Sequence, residues 1–258
     1  LLIMSKVEST EPVNTTATDS EFKVPDVTNL KVTEQQTEQK TEQKKVKTIL
    51  FCVPGKEFNS RFLLSWSDLL LQCIMNGYRP ILCQENDKNL FISRNKCLGG
   101  NILSNDPEQK PFQGRVNYDH LVWIDPHVTF TYGDLEKLLE SPYEVTSGLY
   151  TFNQQTTNVV QKFNYEFYQK NGTFNFLSYD NLVNVEKENN RYFPAEFADM
   201  GWMSFKPGVA ERLQYPWFEP NTTHPVGLFT DTYGYCMKLK EAGIKVMVDG
   251  NTKMRYIE

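Results

Sequence analysis

The chain has no run of 18 apolar residues, no Cys-x-x-Cys pair and no extended basic stretch, and each absence removes a class of function. Without a long apolar run no segment can cross a bilayer as a helix, so any membrane role would be peripheral. The opening Leu1-Leu2-Ile3-Met4 is far too short for the apolar core of a secretory signal, and none is expected. Cys52, Cys73, Cys83, Cys97 and Cys236 are odd in number and show no metal-site spacing. Four of them sit inside apolar segments, where a free thiol behaves as a small core residue. They read as reduced thiols of a cytosol-like, cytoplasmic compartment. Three Asn-x-Thr triplets, at Asn14, Asn171 and Asn221, carry little weight against this, since such triplets arise by chance in an Asn- and Thr-rich chain. A net charge of -5 and a pI near 5.4 exclude broad nucleic-acid binding, which needs basic surface to displace counterions from phosphates. The cations that cluster are Lys44, Lys45 and Lys47.

What is present is enough for one sizeable domain: 258 residues, 40% apolar and 13% aromatic. Residues 1–45 are set apart. They are rich in Thr, Glu, Gln, Lys and Ser and contain the repeat Thr33-Glu34-Gln35, Thr37-Glu38-Gln39, Thr41-Glu42-Gln43. Such a segment cannot bury enough surface to offset its ordering entropy, so it reads as a disordered low-complexity tail before a folded domain over 46–258.

From Val46 the pattern alternates. Thr48–Val53 is a strand-length apolar run closed by Pro54-Gly55, and residues 59–76 carry Phe62, Leu63, Trp66, Leu69, Leu70, Cys73 and Ile74 at helical spacing, with Gly77 as the stop. A short strand at Pro80–Cys83, a helix at about Lys88–Leu98 ending on Gly99-Gly100, a strand at Leu121–Ile124, a helix around Asp134–Glu140 and a strand at Glu144–Tyr150 follow. This β-α-β-α-β order predicts a mainly parallel sheet with helices on both faces and functional loops at the strands' carboxyl ends. The stretch 151–194 lacks a clean period and reads as a loop-rich insertion over the site. Phe197–Phe205 predicts a strand, Pro207–Leu213 a short helix, Asp231–Ala242 a helix stopped by Gly243, and Lys245–Val248 a final strand.

The most informative stretch is Leu121-Val122-Trp123-Ile124-Asp125-Pro126-His127. A buried strand ending on an acid, with a second metal-ligating type two residues on, puts both side chains at the sheet edge where phosphates and a divalent ion could sit. The simpler alternative is that Asp125 opens a turn before Pro126 and His127 is a surface loop residue. His224, between Thr223 and Pro225, reads as a loop residue only.

Four blocks in order give the domain a resemblance to GT-A fold glycosyltransferases of the family 2-like group found in bacteria and large viruses. They are Ile49–Val53 with Pro54; Ile92-Ser93-Arg94-Asn95; Leu121–His127 followed by Ser147-Gly148-Leu149-Tyr150; and Asp199-Met200-Gly201-Trp202-Met203 with Pro216-Trp217-Phe218 and Thr230-Asp231. The resemblance implies a Rossmann-like α/β sheet and an enzyme, microbial or viral, acting in the cytoplasm (the host's, if viral). It would move a sugar from a nucleotide-diphosphate donor to a glycan or protein-linked acceptor, such as a glycoprotein, with inversion. It implies a nucleotide site at Val53, Pro54, Arg94 and Asn95, with Asp125 and His127 holding Mn²⁺ or Mg²⁺ against the leaving diphosphate; imidazole tolerates the softer Mn²⁺ better. Asp231 would be the base for the acceptor hydroxyl, with Asp199 as second choice, and Gly201, Trp202 and Trp217 would face the acceptor. Each residue has a simpler reading: Arg94 as an ion-paired helix residue, Asp231 as a helix cap, the tryptophans as core.

Two departures stand out. His127 replaces the second acid of Asp-x-Asp, and Tyr256 stands near where a terminal His often completes the metal site. A fold kept for glycan binding or scaffolding, with catalysis impaired, is therefore the alternative function. Nucleotidyl transfer is disfavoured because Pro54-Gly55-Lys56-Glu57 is too short for the Gly-rich, basic signature that chemistry uses. The donor sugar, the base, the acceptor and the oligomeric state leave no trace in the sequence.

Overall fold

The computed structural model describes residues 46–104, 106–153, 155–182, 191–219 and 231–256. The tail over 1–45, His224, Thr230 and two of the three Asn-x-Thr triplets lie outside them.

The expected alternation opens the fold. Strand β1 (Lys47–Pro54) leads into α1 (Ser60–Met75), capped by the Asn59 side chain, which accepts from the Phe62 N–H at 2.9 Å. Then come β2 (Tyr78–Glu85), α2 (Leu90–Cys97), β3 (His120–Ile124), a two-residue β4 (Val128–Thr129) and α3 (Tyr132–Leu139), which opens with a Thr131/Asp134 capping box. Strand β5 (Val145–Asn153) follows. The stretch expected to be an irregular cover carries β6 (Thr156–Thr157), β7 (Val159–Val160), α4 (Tyr165–Asn171) and β8 (Tyr192–Ala195). Its apolar side chains explain this: Phe174, Leu177 and Leu182 are buried and join the main core, so the insertion is a buttress with its own packing.

The strand expected over Phe197–Phe205 is two strands, β9 (Phe197–Ala198) and β10 (Trp202–Phe205), because Asp199 and Gly201 turn the chain between them. Pro207–Leu213 holds only a 3-10 turn at Ala210–Arg212. Helix α5 (Asp231–Glu241) matches expectation, and β11 (Val246–Tyr256) runs eight residues beyond the expected end of the last strand. The extension follows a register shift between Asp249 and Lys253, after which β11 pairs with β5 again.

The main sheet runs in the order β2-β1-β3-β10-β5-β11-β4, with β6 and β8 pairing off this path. Strands β2, β1, β3, β5 and β11 share one direction, while β10 runs against both its neighbours. This is the mainly parallel, Rossmann-like α/β arrangement read from the sequence. Alternation along the strands serves both faces: Ile49, Phe51, Val53, Val122 and Ile124 pack towards α1 and α3, and Leu50, Cys52, Leu121 and Trp123 towards α2 and α5. All five cysteines are free, and four are buried.

Candidate active site

The carboxyl ends of β1 and β3 form the floor of the site. Beyond Ile124 the chain turns at Asp125-Pro126-His127, with the Val128 N–H donating to the Asp125 carbonyl at 3.0 Å and the His127 N–H to Asp125 Oδ1 at 2.9 Å. Asp125 therefore does open a turn, as the simpler reading held, and that turn fixes where its carboxylate stands. Gly55, just past β1, lies so close that a Cβ there would come within 2.9 Å of Pro126 Cγ. The two strand ends are packed into one edge.

Three carboxylates and one guanidinium meet there from four separate segments. Arg94, on α2, is 3% exposed and donates through Nη1 to Asp231 Oδ2, the first residue of α5, at 2.5 Å. Burial alone would lower the Arg94 pKa, but the charges of Asp231, Asp199 and Asp125 outweigh it and hold the guanidinium above its ordinary value. Among the described residues its Nε, itself buried, has no hydrogen-bond partner. Phe218 lies under it, 5.9 Å from guanidinium carbon to ring centre. The Asp125 carboxyl is pushed up, mainly by burial and further by Asp199, with Arg94 and the His127 N–H opposing.

Asp199 is held by a residue the sequence reading had not placed at the site. The Tyr150 hydroxyl donates to Asp199 Oδ2 at 3.0 Å and accepts from the Gly201 N–H at 3.1 Å, while the Gly201 carbonyl accepts from the Asp125 N–H at 2.9 Å. Burial, reinforced by the Asp199 and Asp125 charges, raises the Tyr150 pKa well above the usual phenol range, which keeps it a donor. Tyr150, Gly201 and Asp125 thus form one hydrogen-bonded chain that sets the separation of the two acids. The signal was the Ser147–Tyr150 block, whose last member was not read as polar machinery. Gly201 acts through its backbone; a Cβ would come within 2.6 Å of Tyr150 Cζ. Tyr256, which the resemblance sets near the place of a terminal metal-site His, has its ring 5.5 Å from that of His127 and 6.1 Å from that of Tyr150.

Other expected contacts fall elsewhere. Trp202 and Trp217 are fully buried, which leaves neither a face for a sugar; Trp202 stacks on Phe130 with ring centres 4.7 Å apart. Both are core, as aromatics in apolar segments commonly are. Asn95 is a clamp: its Nδ2 donates to the Phe91 and Phe218 carbonyls at 2.8 and 2.7 Å, and its Oδ1 accepts from the Phe218 N–H at 3.2 Å. Val53 is buried beneath the floor at the end of β1, with Pro54 beside it. Asp125, His127, Arg94, Asp199 and Asp231 are brought together; Asn95 fixes the Phe218 that lies under Arg94, and Trp202 and Trp217 belong to the core.

Beside this cluster an open cleft of about 740 Å³ is lined by Gly55, Lys56, Asn86, Asp87, Lys88 and Ser93. It lies at the ends of β1 and β2 and the start of α2, one residue from Arg94. As a cation site the edge is thin: among the described residues no three of His, Cys, Asp and Glu are arranged around one point. Asp125 and His127 fit a divalent ion only if further oxygens come from a ligand.

No protein-family model and no curated protein matches the chain. Solved structures of similar fold include A197 from STIV (12% identity, 82% of this chain and 94% of that one, TM-score 0.46). Others are GalNAc-T7 with UDP, GalNAc and Mn²⁺ (9%, 82% and 43%, TM-score 0.47) and a mutant Drosophila β-1,4-galactosyltransferase 7 with manganese, UDP-Gal and xylobiose (11%, 83% and 71%, TM-score 0.44). The chain thus spans under half of the GalNAc-T7 chain. The chain's own topology, with five co-directional strands, helices on both faces and an acidic turn at the strands' carboxyl ends, is that of a Rossmann-like α/β fold.

Proposed function

We propose that the protein is a nucleotide-sugar-dependent glycosyltransferase whose donor lies in the cleft between Gly55 and Ser93, with its diphosphate towards Arg94 and Asp125. The observation that carries the reading is the convergence of Arg94, Asp125, Asp199 and Asp231 on one edge of a parallel sheet. Such edges are where open α/β folds bind nucleotides.

The reaction transfers the anomeric carbon. An acceptor hydroxyl oxygen bonds to it, the bond to the diphosphate oxygen breaks with its electron pair, and the hydroxyl proton leaves to a base. Arg94 suits the diphosphate because a buried guanidinium offers charge-assisted hydrogen bonds with little reorganisation, and its Nε is unused. Asp125 and His127 would hold Mn²⁺ or Mg²⁺ jointly with diphosphate oxygens; that cation would add charge stabilisation on the leaving group. Asp231 is the assigned base and Asp199 the alternative, held by Tyr150. A carboxylate base that accepts the hydroxyl proton directly belongs to an inverting course, with a glycan or glycoprotein hydroxyl as acceptor.

A thermal-shift screen of UDP, GDP, CMP and dTDP, each with Mn²⁺, Mg²⁺ or EDTA, tests the donor site. One nucleotide diphosphate should raise Tm by roughly 5–10 °C at a hundredfold excess over its Kd, only with metal, and Asp125→Ala should abolish the shift. No shift with any nucleotide at millimolar concentration defeats the reading. The thin metal site favours one second reading, a donor-binding module without turnover. Release of the nucleotide diphosphate from its sugar conjugate separates the two.

A further inference from the structure

Helix α1 turns a second apolar face outward. Its inner face buries Phe62, Leu69 and Cys73. Its outer ridge leaves Leu63, Leu64, Leu71, Ile74 and Met75 between 49% and 77% exposed. A solvated helix places charge there, so an apolar ridge of this length marks a contact surface. Ser60, Leu64, Ser67, Leu71 and Ile74 follow each other at spacings of four, three, four and three, the seam of a helix that packs against another helix. Ser67 adds no outward polarity, since its hydroxyl donates back to the Leu63 carbonyl at 2.8 Å. Beside the amino-terminal half of the ridge lies an apolar groove of about 260 Å³ walled by Phe58, Phe62, Leu63, Trp66 and Leu82.

We propose that this face pairs with the same face of a second copy, α1 against α1 in opposite directions about a two-fold axis near Leu64. Charge selects the arrangement. Arg61 and Asp68 flank the seam on one side, and an antiparallel copy centred near Leu64 sets each Arg61 against the other chain's Asp68, twice over. The same placement carries Leu71, Ile74 and Met75 of one chain over the groove at the start of the other's α1. Ridge meets groove reciprocally, as a two-fold contact requires. A lipid surface suits the face less well, because membrane-lying helices carry a Lys/Arg-rich border and this border holds one cation and one anion on a chain of net charge -5.

Sedimentation velocity on the full chain, from micromolar to submillimolar concentration, tests the proposal. The wild type should move from its 30.0 kDa mass towards twice that value. Leu71→Glu and Leu64→Lys, both at exposed positions, should stay at the single-chain mass with unchanged far-UV circular dichroism. If one of them fails to fold, the charge exchange still decides: Arg61→Asp should weaken association at least tenfold, and Arg61→Asp with Asp68→Arg should restore it. A wild type that stays at 30.0 kDa throughout overturns the proposal, as does an unaltered dimer in the folded ridge variants. So does a single-chain wild type that binds phosphatidylcholine or phosphatidylserine vesicles through Leu71, which would assign the ridge to lipid.

Discussion

Arg94 and Asp231 are 137 positions apart, and neither announces the other in the sequence. Arg94 could be seen as the start of a motif and Asp231 as the head of a helix, but their pairing needs α2 and α5 folded onto the same face of the sheet. What the sequence did show was Asp125, because an apolar strand that stops on an acid marks its own edge. Removing the buried cation leaves three acids facing one another. Arg94→Met should therefore destabilise the fold by about 3–5 kcal/mol, read as a lowered midpoint in urea unfolding, whereas Asp231→Asn should cost less because Asp199 and Asp125 still face the guanidinium. Tyr150→Phe should cost about 1 kcal/mol in the same assay while lowering the proposed sugar transfer far more, since it frees Asp199 to turn. His120 makes a separate, pH-dependent prediction. Burial, helped by Lys206 and Lys47, lowers its pKa from 6.5 to about 4, so between those values the unfolded chain binds a proton that the folded chain does not. Stability should be full above pH 6.5 and fall by up to about 3 kcal/mol as the pH drops to 4, and His120→Gln should flatten the curve of Tm against pH over that window.

At the scale of elements, most strands and helices were legible because they carry their own period or stop signal: α1 has its apolar residues at helical spacing and Gly77 after it. The misreadings share a cause. The strand expected over Phe197–Phe205 splits because Asp199 takes its backbone partner from Asn158, in the insertion, through an N–H···O bond of 3.0 Å. Strand β11 outruns expectation because residues after Asp249 find β5 again only after a bulge, and nothing local in Asp249-Gly250-Asn251 announces such a partner. Gly148 shows how tightly these elements meet, for a Cβ there would lie 2.5 Å from Trp202 Cδ1 and 2.7 Å from Met254 Cε. Gly148→Ala should cost about 1–3 kcal/mol through overpacking, a fall in Tm that differential scanning calorimetry would register.

For the whole molecule, the sequence conveyed a parallel α/β sheet with its working edge at the strands' carboxyl ends. It did not convey that a strand from late in the chain would lie in the middle of that sheet, since strand order is a product of long-range packing. Strand β10 lies between β3 and β5 and joins two sets of parallel strands that do not otherwise touch in the main path. During synthesis this imposes a sequence of events. Strands β1, β2 and β3 leave the ribosome and can pair among themselves, and β5 follows, but β3 and β5 each keep an open flank until Trp202–Phe205 has emerged, and the other flank of β5 waits for β11. A chain cut after Met200 should consequently be lost to aggregation during expression, measured as the fraction recovered in the soluble lysate against the full chain. Between the emergence of β5 and that of β10 the nascent protein carries two sticky edges, and its dependence on chaperones should fall as β10, and after it β11, clear the exit tunnel.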